Sequence, residues 1–122
     1  MSDCGVCLYS DDNSDISFSD VEFVRARKPY KCSECGAPII AGQRHEVASG
    51  RCEGEFWRYR TCLVCAEIAE AFFCNGRTFG GILWDFMDDV WGELTTSCFD
   101  RLKTPQAKAE LQRRWIEWKL DQ

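Results

Sequence analysis

Alternating hydrophobic and polar residues in the first half of the chain predict β-strands. Residues 21–24 have the composition of a strand. Residues 43–48 and 55–60 flank a glycine-punctuated stretch at 49–54, and this arrangement predicts a β-hairpin with its tip in that stretch. In the return strand, aromatic residues alternate with arginines. We expect its aromatic side chains to form half of a small core, although such a strand can also stack on nucleic-acid bases.

Apolar residues recur at helical spacing in three later segments, 62–73, 82–94 and 105–120. Thr61 is the predicted N-cap of the first helix, and Thr104 that of the third. The third helix carries an apolar stripe, which we expect to pack on the second helix. This stripe consists of Ala107, Leu111, Trp115 and Trp118. The bulky residues that we expect to be buried are Trp57, Phe72, Phe86 and Trp91.

Two Cys-x-x-Cys pairs frame the predicted hairpin. Cys32 and Cys35 are followed by Gly36, which is the pattern of a zinc knuckle. In a knuckle, a tight turn with positive φ at the glycine lets both sulfurs point at one ion. Cys62 and Cys65 repeat the spacing at the start of the first helix, where the helix dipole favours thiolate. Four thiolates fill a closed tetrahedral site, so we predict a structural Zn²⁺ here.

The remaining cysteines predict a second metal site. A third Cys-x-x-Cys pair lies near the amino terminus, and two further cysteines flank the ends of elements that must pack together. Cys52 lies at the hairpin tip and is left free. His45 is the single histidine and can replace a cysteine at either site, but we do not assign it as a ligand. The predicted ligands of a second structural Zn²⁺ are Cys4, Cys7, Cys74 and Cys98.

The number of cysteines allows a second interpretation. Nine cysteines in 122 residues also occur in secreted proteins that are stabilised by disulfides. The odd number does not suit complete disulfide pairing, and residues 1–7 have neither the basic nor the apolar segment of a signal peptide. No apolar run approaches the length of a membrane span. We therefore expect a reduced, metal-binding protein of the cytoplasm.

The charge of the chain bears on the class of partner. The formal net charge is −5, and two tetrathiolate zinc sites would bring it to roughly −9. A strongly negative protein is poorly suited to general nucleic-acid binding, which depends on neutralising phosphates. The distribution is uneven, however. Residues 25–60 hold eight bases and four acids, whereas residues 85–100 hold five acids and no base.

The motifs of zinc enzymes are absent from the sequence. A zinc deaminase needs His-x-Glu followed by Pro-Cys-x-x-Cys, but His45 is adjacent to Glu46, and Thr61 precedes Cys62. A single histidine also disfavours a nuclease site on a zinc finger. Cys-x-x-Cys is a redox motif as well, although three pairs at zinc-like spacing favour metal binding. We expect the protein not to be an enzyme.

The order of knuckle, hairpin and helix resembles a treble-clef zinc finger over residues 32–73. The predicted fold is therefore a small α+β zinc-binding domain in which a treble-clef-like unit is followed by two packed α-helices. We expect a single domain over residues 1–122. Its parts are an acidic N-terminal arm at 1–24, a zinc-finger core at 25–74 and a helical extension at 75–122.

Three segments resemble small, cysteine-rich, uncharacterised proteins of tailed bacteriophages and prophages. They are the opening at 1–7, the knuckle at 31–36 and the helix start at 61–65. The resemblance carries no known activity. It implies a class of function, because small phage proteins often bind and inhibit a host machine, including host defence complexes.

Two hypotheses of function follow. The first is a zinc-stabilised interaction module, acting as an inhibitor that covers a surface of a host protein or complex. Its predicted partner-binding residues lie on the polar face of the second helix and are Asp85, Asp88, Asp89 and Glu93. The alternative is a zinc-finger nucleic-acid-binding or transcriptional regulatory protein. It would use the basic residues Arg25, Arg27, Lys28, Arg58 and Arg60.

Overall fold

The described strands precede the helices along the chain. The computed structural model describes residues 4–8, 16–52, 54–74 and 81–122. Its strands are β1 (Ile16–Arg25), β2 (Tyr30–Lys31), β3 (Pro38–Ile39), β4 (Arg44–Cys52) and β5 (Glu55–Cys62). Its α-helices are α1 (Leu63–Phe72), α2 (Leu83–Asp88) and α3 (Pro105–Leu120), with 3-10 helices at Trp91–Glu93 and Thr96–Arg101 between the last two.

The larger sheet has three antiparallel strands in the order β1-β4-β5. The predicted hairpin is confirmed, since β4 and β5 pair from His45 opposite Cys62 to Cys52 opposite Glu55. Its tip is shorter than the predicted stretch at 49–54, because residues 49–52 continue β4 and are paired with β5. Gly54 has a φ of +85° in the tight connection between these strands. The strand predicted at 21–24 is longer than expected, because β1 follows β4 along its whole length from Ile16.

A second, two-stranded sheet supports the knuckle. β2 and β3 pair through Tyr30 opposite Ile39 and Lys31 opposite Pro38, so the knuckle is the connection between them. Gly36 has a φ of +75°, as the knuckle pattern predicts, and its amide donates to the carbonyl of Cys32 at 2.9 Å.

Helix α1 begins one residue later than the predicted cap implies. Thr61 lies buried at the end of β5, and Cys62 is the N-cap instead, because its Sγ accepts a hydrogen bond from the amide of Cys65. The helix ends at Phe72 with Phe73 as its C-cap, and Asn75 and Gly76, which could provide a left-handed cap, lie outside the described residues. The cap of α3 is confirmed, since the hydroxyl of Thr104 accepts from the amide of Ala107 at 3.2 Å.

The helix predicted at 82–94 is wrong in its second half. Helix α2 ends at Asp88, and the chain continues as a turn followed by a 3-10 helix. The Asp88 carboxylate accepts a hydrogen bond from Trp91 Nε1 at 2.8 Å, and this contact fixes the tighter turn. Gly92 follows, and glycine is a poor residue for continuing an α-helix.

Helix α3 packs mainly on α1, and its apolar stripe, which is predicted to pack on residues 82–94, also contacts that segment. Ala107 and Leu111 are completely buried, and Trp115 donates from Nε1 to the carbonyl of Trp91 at 3.2 Å. A Cβ atom at Gly92 would lie 3.7 Å from the ring of Trp118, so α3 covers the 3-10 turn closely.

One cluster of buried side chains joins the amino-terminal segment, α1 and the helices after it. Of the four bulky residues expected in the core, Phe72 and Trp91 are buried. Trp57 and Phe86 are only half-buried. Trp57 lies in the hairpin and packs on Tyr59, away from the main cluster. Among the described helices, none has the length and apolar composition of a membrane span.

Candidate metal centre

The four cysteines of the two framing pairs meet between the knuckle and the start of α1. All four sulfur atoms lie within 4.8 Å of one another, and Cys35 Sγ is 3.9 Å from Cys62 Sγ. Ligands about 2.3 Å from a tetrahedral Zn²⁺ are about 3.8 Å apart, so this group fits around one ion with a small contraction. The sequence prediction of a four-cysteine group that can hold a metal ion is confirmed for Cys32, Cys35, Cys62 and Cys65.

Backbone amides point at these sulfurs. Cys32 Sγ accepts from the amides of Cys35 at 3.5 Å and of Cys62 at 3.3 Å. Cys62 Sγ accepts from the amide of Cys65 at 3.5 Å, as expected of a residue at the N-terminus of a helix. Such bonds stabilise thiolate charge, which a metal-binding cysteine must carry.

The thiols influence one another's pKa. Hydrogen bonds from Cys62 and Cys65 lower the pKa of Cys32 far below its ordinary value. The hydrogen bond to Cys32 raises the pKa of Cys62 to about 12, and the bonds to Cys32 and Cys62, together with burial, raise that of Cys65. Without an ion, the group therefore concentrates negative charge on Cys32 and retains protons on Cys62 and Cys65. A divalent cation would displace those protons.

The knuckle is tied to β5 and to α2 by residues between its two ligands. The amide and hydroxyl of Ser33 both donate to the carbonyl of Arg60, at 2.7 and 2.6 Å. The carboxylate of Glu34 accepts from the amide of Leu83 at 2.9 Å and from that of Gly81 at 3.2 Å. Glu34 thus caps the start of α2. This role is not visible in the sequence pattern, because the capped residues lie 47 and 49 positions away.

Removing the carboxylate of Glu34 tests this link. We expect Glu34→Ala to lower the free energy of unfolding by about 1–3 kcal/mol, since two backbone amides lose a charged acceptor. The metal content should not change, because no ligand is altered. Urea denaturation with metal in excess measures the first quantity, and elemental analysis measures the second. Glu70→Ala on the exposed side of α1 is the control, with an expected change within about 0.5 kcal/mol. Equal effects of the two substitutions would contradict the capping role.

The predicted second zinc site differs from the structure. Its four cysteines are joined as the disulfides Cys4–Cys98 and Cys7–Cys74. The grouping of these four residues agrees with the prediction, but the bonding does not. A sulfur in a disulfide has no thiolate charge to offer a cation, so these residues are not metal ligands in this state.

His45 is fully buried beside the metal centre without joining it. Its Nε2 lies 2.9 Å from Arg60 Nη1, and its Nδ1 lies 3.3 Å from the carbonyl of Gln43. Because the arginine always donates, Nε2 is the acceptor and Nδ1 carries the proton. The guanidinium of Arg60 also lies 3.8 Å from the centre of the Tyr30 ring. These contacts give His45 a structural role next to the knuckle.

The predicted partner-binding acids lie on α2 and the 3-10 turn that follows it. Asp85, Asp89 and Glu93 are exposed, and within the described residues their carboxylates form no ion pair. Asp88 is exposed too, but its carboxylate holds Trp91 Nε1. The sequence pattern does not distinguish the four predicted partner-binding acids, whereas the structure gives Asp88 a structural role.

Three basic residues of the alternative hypothesis, Arg25, Arg58 and Arg60, do not share one face of the larger sheet. Arg58 and Arg60 line an open groove of about 300 Å³ across the larger sheet. Asp20 and Glu22 of β1 line the opposite side of the same groove. Arg25 follows Val24, another residue of that groove, and so points to the other face of β1.

Fold and site together define a small α+β protein with antiparallel sheets and a four-cysteine group that can bind a metal ion. Comparison of the chain with protein-family models, with curated proteins and with solved structures gives no match.

Proposed function

We propose that the protein is a zinc-stabilised interaction module that presents an acidic surface to a partner protein. The ion would be Zn²⁺ bound by the four-cysteine group, because four thiolates are typical ligands of structural zinc. The knuckle, the β4–β5 hairpin and a helix that begins at the second ligand pair support a treble-clef-like unit. With every tetrahedral position taken by a cysteine, the ion would have a structural role and no place for a reacting water.

The observation that carries this proposal is that three exposed carboxylates without an ion pair to any described residue lie on one short segment, 85–93. Glu34 and Glu67 accept hydrogen bonds from the backbone at the starts of α2 and α3. Glu110 forms ion pairs with Arg113 and Arg114 on α3. We define the acidic surface as Asp85, Asp89 and Glu93. By contrast, the carboxylates of these three residues form no ion pair within the described residues.

The segment that carries the acidic surface is held in place by ring contacts and by a hydrogen bond to the knuckle. Trp84 and Trp91 stack with their ring centres 6.4 Å apart, and Trp84 is also covered by the guanidinium of Arg114 at 3.8 Å. Glu34 fixes the start of the segment to the metal knuckle. Fixed charges lose less entropy on binding than mobile ones, which suits electrostatic recognition of a basic partner.

The partner is proposed to be a host protein or complex, as the resemblance to small phage proteins implies. Its complementary surface would be basic, as nucleic-acid-binding surfaces are. By covering such a surface the protein would act as an inhibitor without catalysing a reaction. A nucleic-acid-binding function is disfavoured by the separation of the basic residues and by the acids facing Arg58 and Arg60.

Removing charge from the acidic surface tests the proposal. The tagged protein first captures its partner from a bacterial lysate, and association is then measured with purified components at two salt concentrations. We expect the triple substitution Asp85→Asn, Asp89→Asn and Glu93→Gln to slow association by about tenfold or more and to reduce its salt dependence. Asp88 is kept, because it holds Trp91.

The matched control removes three charges from exposed positions elsewhere, by Glu55→Gln, Glu70→Gln and Asp121→Asn. Its association rate should stay within about twofold of the wild type, since local rather than net charge steers binding. Equal slowing by both triple variants would contradict a defined acidic surface. Tight, steeply salt-dependent binding to bare DNA or RNA would instead favour the nucleic-acid hypothesis.

A further inference from the structure

Four cysteines outside the four-cysteine centre form two disulfides that attach the amino-terminal segment to the helical part of the chain. One disulfide joins Cys4 to Cys98 in the second 3-10 helix, and the other joins Cys7 to Cys74 just after α1. Only two residues separate Cys4 from Cys7, so both disulfides share one short segment. A Cys-x-x-Cys pair with two cysteines from other elements is also a common ligand set of a tetrathiolate site.

The amino-terminal segment is held by more than its disulfides. Val6 and Leu8 are buried in the core, with exposed fractions of 5% and 3%. The amide of Leu8 donates to the carbonyl of Phe72 at 2.7 Å. The guanidinium of Arg101 donates to the carbonyls of Val6 and Cys4. Cleavage of both disulfides would therefore leave Cys4 beside Cys98 and Cys7 beside Cys74, with only two residues between the two pairs along the segment.

We infer that these four cysteines form a second metal site when they are reduced, so that the protein exchanges two disulfides for one thiophilic divalent cation. Each disulfide takes two electrons and two protons from a dithiol reductant, which is itself oxidised to a disulfide. The resulting four thiols then bind the cation as thiolates and release four protons. The product carries two net negative charges, and the guanidinium of Arg101 on the adjacent backbone partly compensates them.

The chemistry of the ligands defines the cation. Thiolates favour Zn²⁺ over Mg²⁺ and Ca²⁺, which prefer oxygen ligands. A reducing compartment keeps thiols free, so the metal form belongs to such conditions and the disulfide form to oxidising ones. In both forms the segment stays attached to α1. The exchange therefore changes the chemistry of the attachment and not the fold.

Metal content in the two redox states tests the inference. The full-length protein is oxidised or is reduced with a phosphine, which does not compete strongly for zinc, and each sample is then given Zn²⁺ and desalted. Elemental analysis should find one zinc per chain after oxidation and two after reduction. With Co²⁺ in place of Zn²⁺, the absorption of sulfur-coordinated tetrahedral cobalt should roughly double on reduction.

Cysteine-to-serine variants show which residues bind the second zinc ion. Cys7→Ser combined with Cys74→Ser should return the reduced protein to one zinc, and this pair is chosen because Cys74 is exposed whereas Cys98 is fully buried. Cys52→Ser, which alters a cysteine of neither group, should keep two. Circular dichroism confirms that each variant is folded. One zinc in the reduced wild type, with the other five of the nine thiols open to alkylation, would overturn the inference. This test does not depend on partner binding, so the proposed function stands or fails separately.

Discussion

Removal of the ion from the four-cysteine centre is expected to unfold the protein rather than only to alter its surface. Structural zinc contributes about 10–16 kcal/mol in small zinc-finger peptides, whereas a whole domain has a net stability of about 5–15 kcal/mol. The centre joins the knuckle to the start of α1, and both Cys32 and Cys65 are almost completely buried. Loss of the ion would leave charge and unpaired thiols between these two elements.

Stability of the metal-bound protein should also fall as the pH is lowered. Unfolded cysteines have a pKa near 8.5, so at neutral pH unfolding of the loaded protein takes up about four protons. In the folded, metal-free centre the pKa of Cys62 is raised to about 12, so the ion must displace a proton there as well. Both effects have the same sign: acid weakens metal binding and favours the unfolded state.

Circular dichroism with a strong chelator, followed over a pH series, measures both effects. The chelated protein should lose its cooperative thermal transition, and addition of Zn²⁺ should restore it. Cys65→Ser should behave like the chelated protein, and Cys52→Ser should behave like the wild type. A cooperative transition that survives complete metal removal would show that the hydrophobic core and disulfides are sufficient for folding.

Trp91→Ala is the core substitution with the largest expected effect. Trp91 is 4% exposed, stacks on Trp84, and holds Asp88 and Trp115 through its indole N–H and its carbonyl. Truncation of such a buried ring should lower the free energy of unfolding by about 3–5 kcal/mol. Trp91→Phe should cost less, because it keeps an aromatic ring and loses only part of the buried side chain together with the hydrogen bond to Asp88.

Phe56→Ala is the control for aromatic truncation, since Phe56 is 61% exposed in the hairpin. Its effect should remain below about 1 kcal/mol. Urea denaturation with metal in excess measures the free energy of unfolding of Trp91→Ala, Trp91→Phe and Phe56→Ala. If Trp91→Ala changed the stability as little as Phe56→Ala does, the apolar side of this segment would be available to a partner. The binding surface would then include it.

The metal centre could be predicted from sequence because its requirements are local. A Cys-x-x-Cys turn needs only its own residues and a glycine that tolerates positive φ, as Gly36 does. The third helix was also predictable, since Thr104, the proline after it and an apolar stripe are signals within the helix itself.

Other features depend on contacts between distant residues. The turn after α2 follows from a side-chain hydrogen bond of Asp88, which periodicity does not show. The four cysteines of the two disulfides were grouped correctly, but spacing alone does not distinguish a pair of disulfides from a tetrathiolate site. That difference depends on redox state, which residue types do not encode.

The hydrogen bonds from the start of α2 to Glu34 determine how the four-cysteine unit could be transplanted into another protein. The carbonyl of Ser33 would lie 3.0 Å from a Cβ atom at Gly81, whose φ is +83°, so only glycine is accommodated there without rearrangement. A graft limited to residues 32–65 would leave the carboxylate of Glu34 without the two amides that it accepts from. The smallest portable unit therefore contains the turn at 81–83 as well as the four ligands.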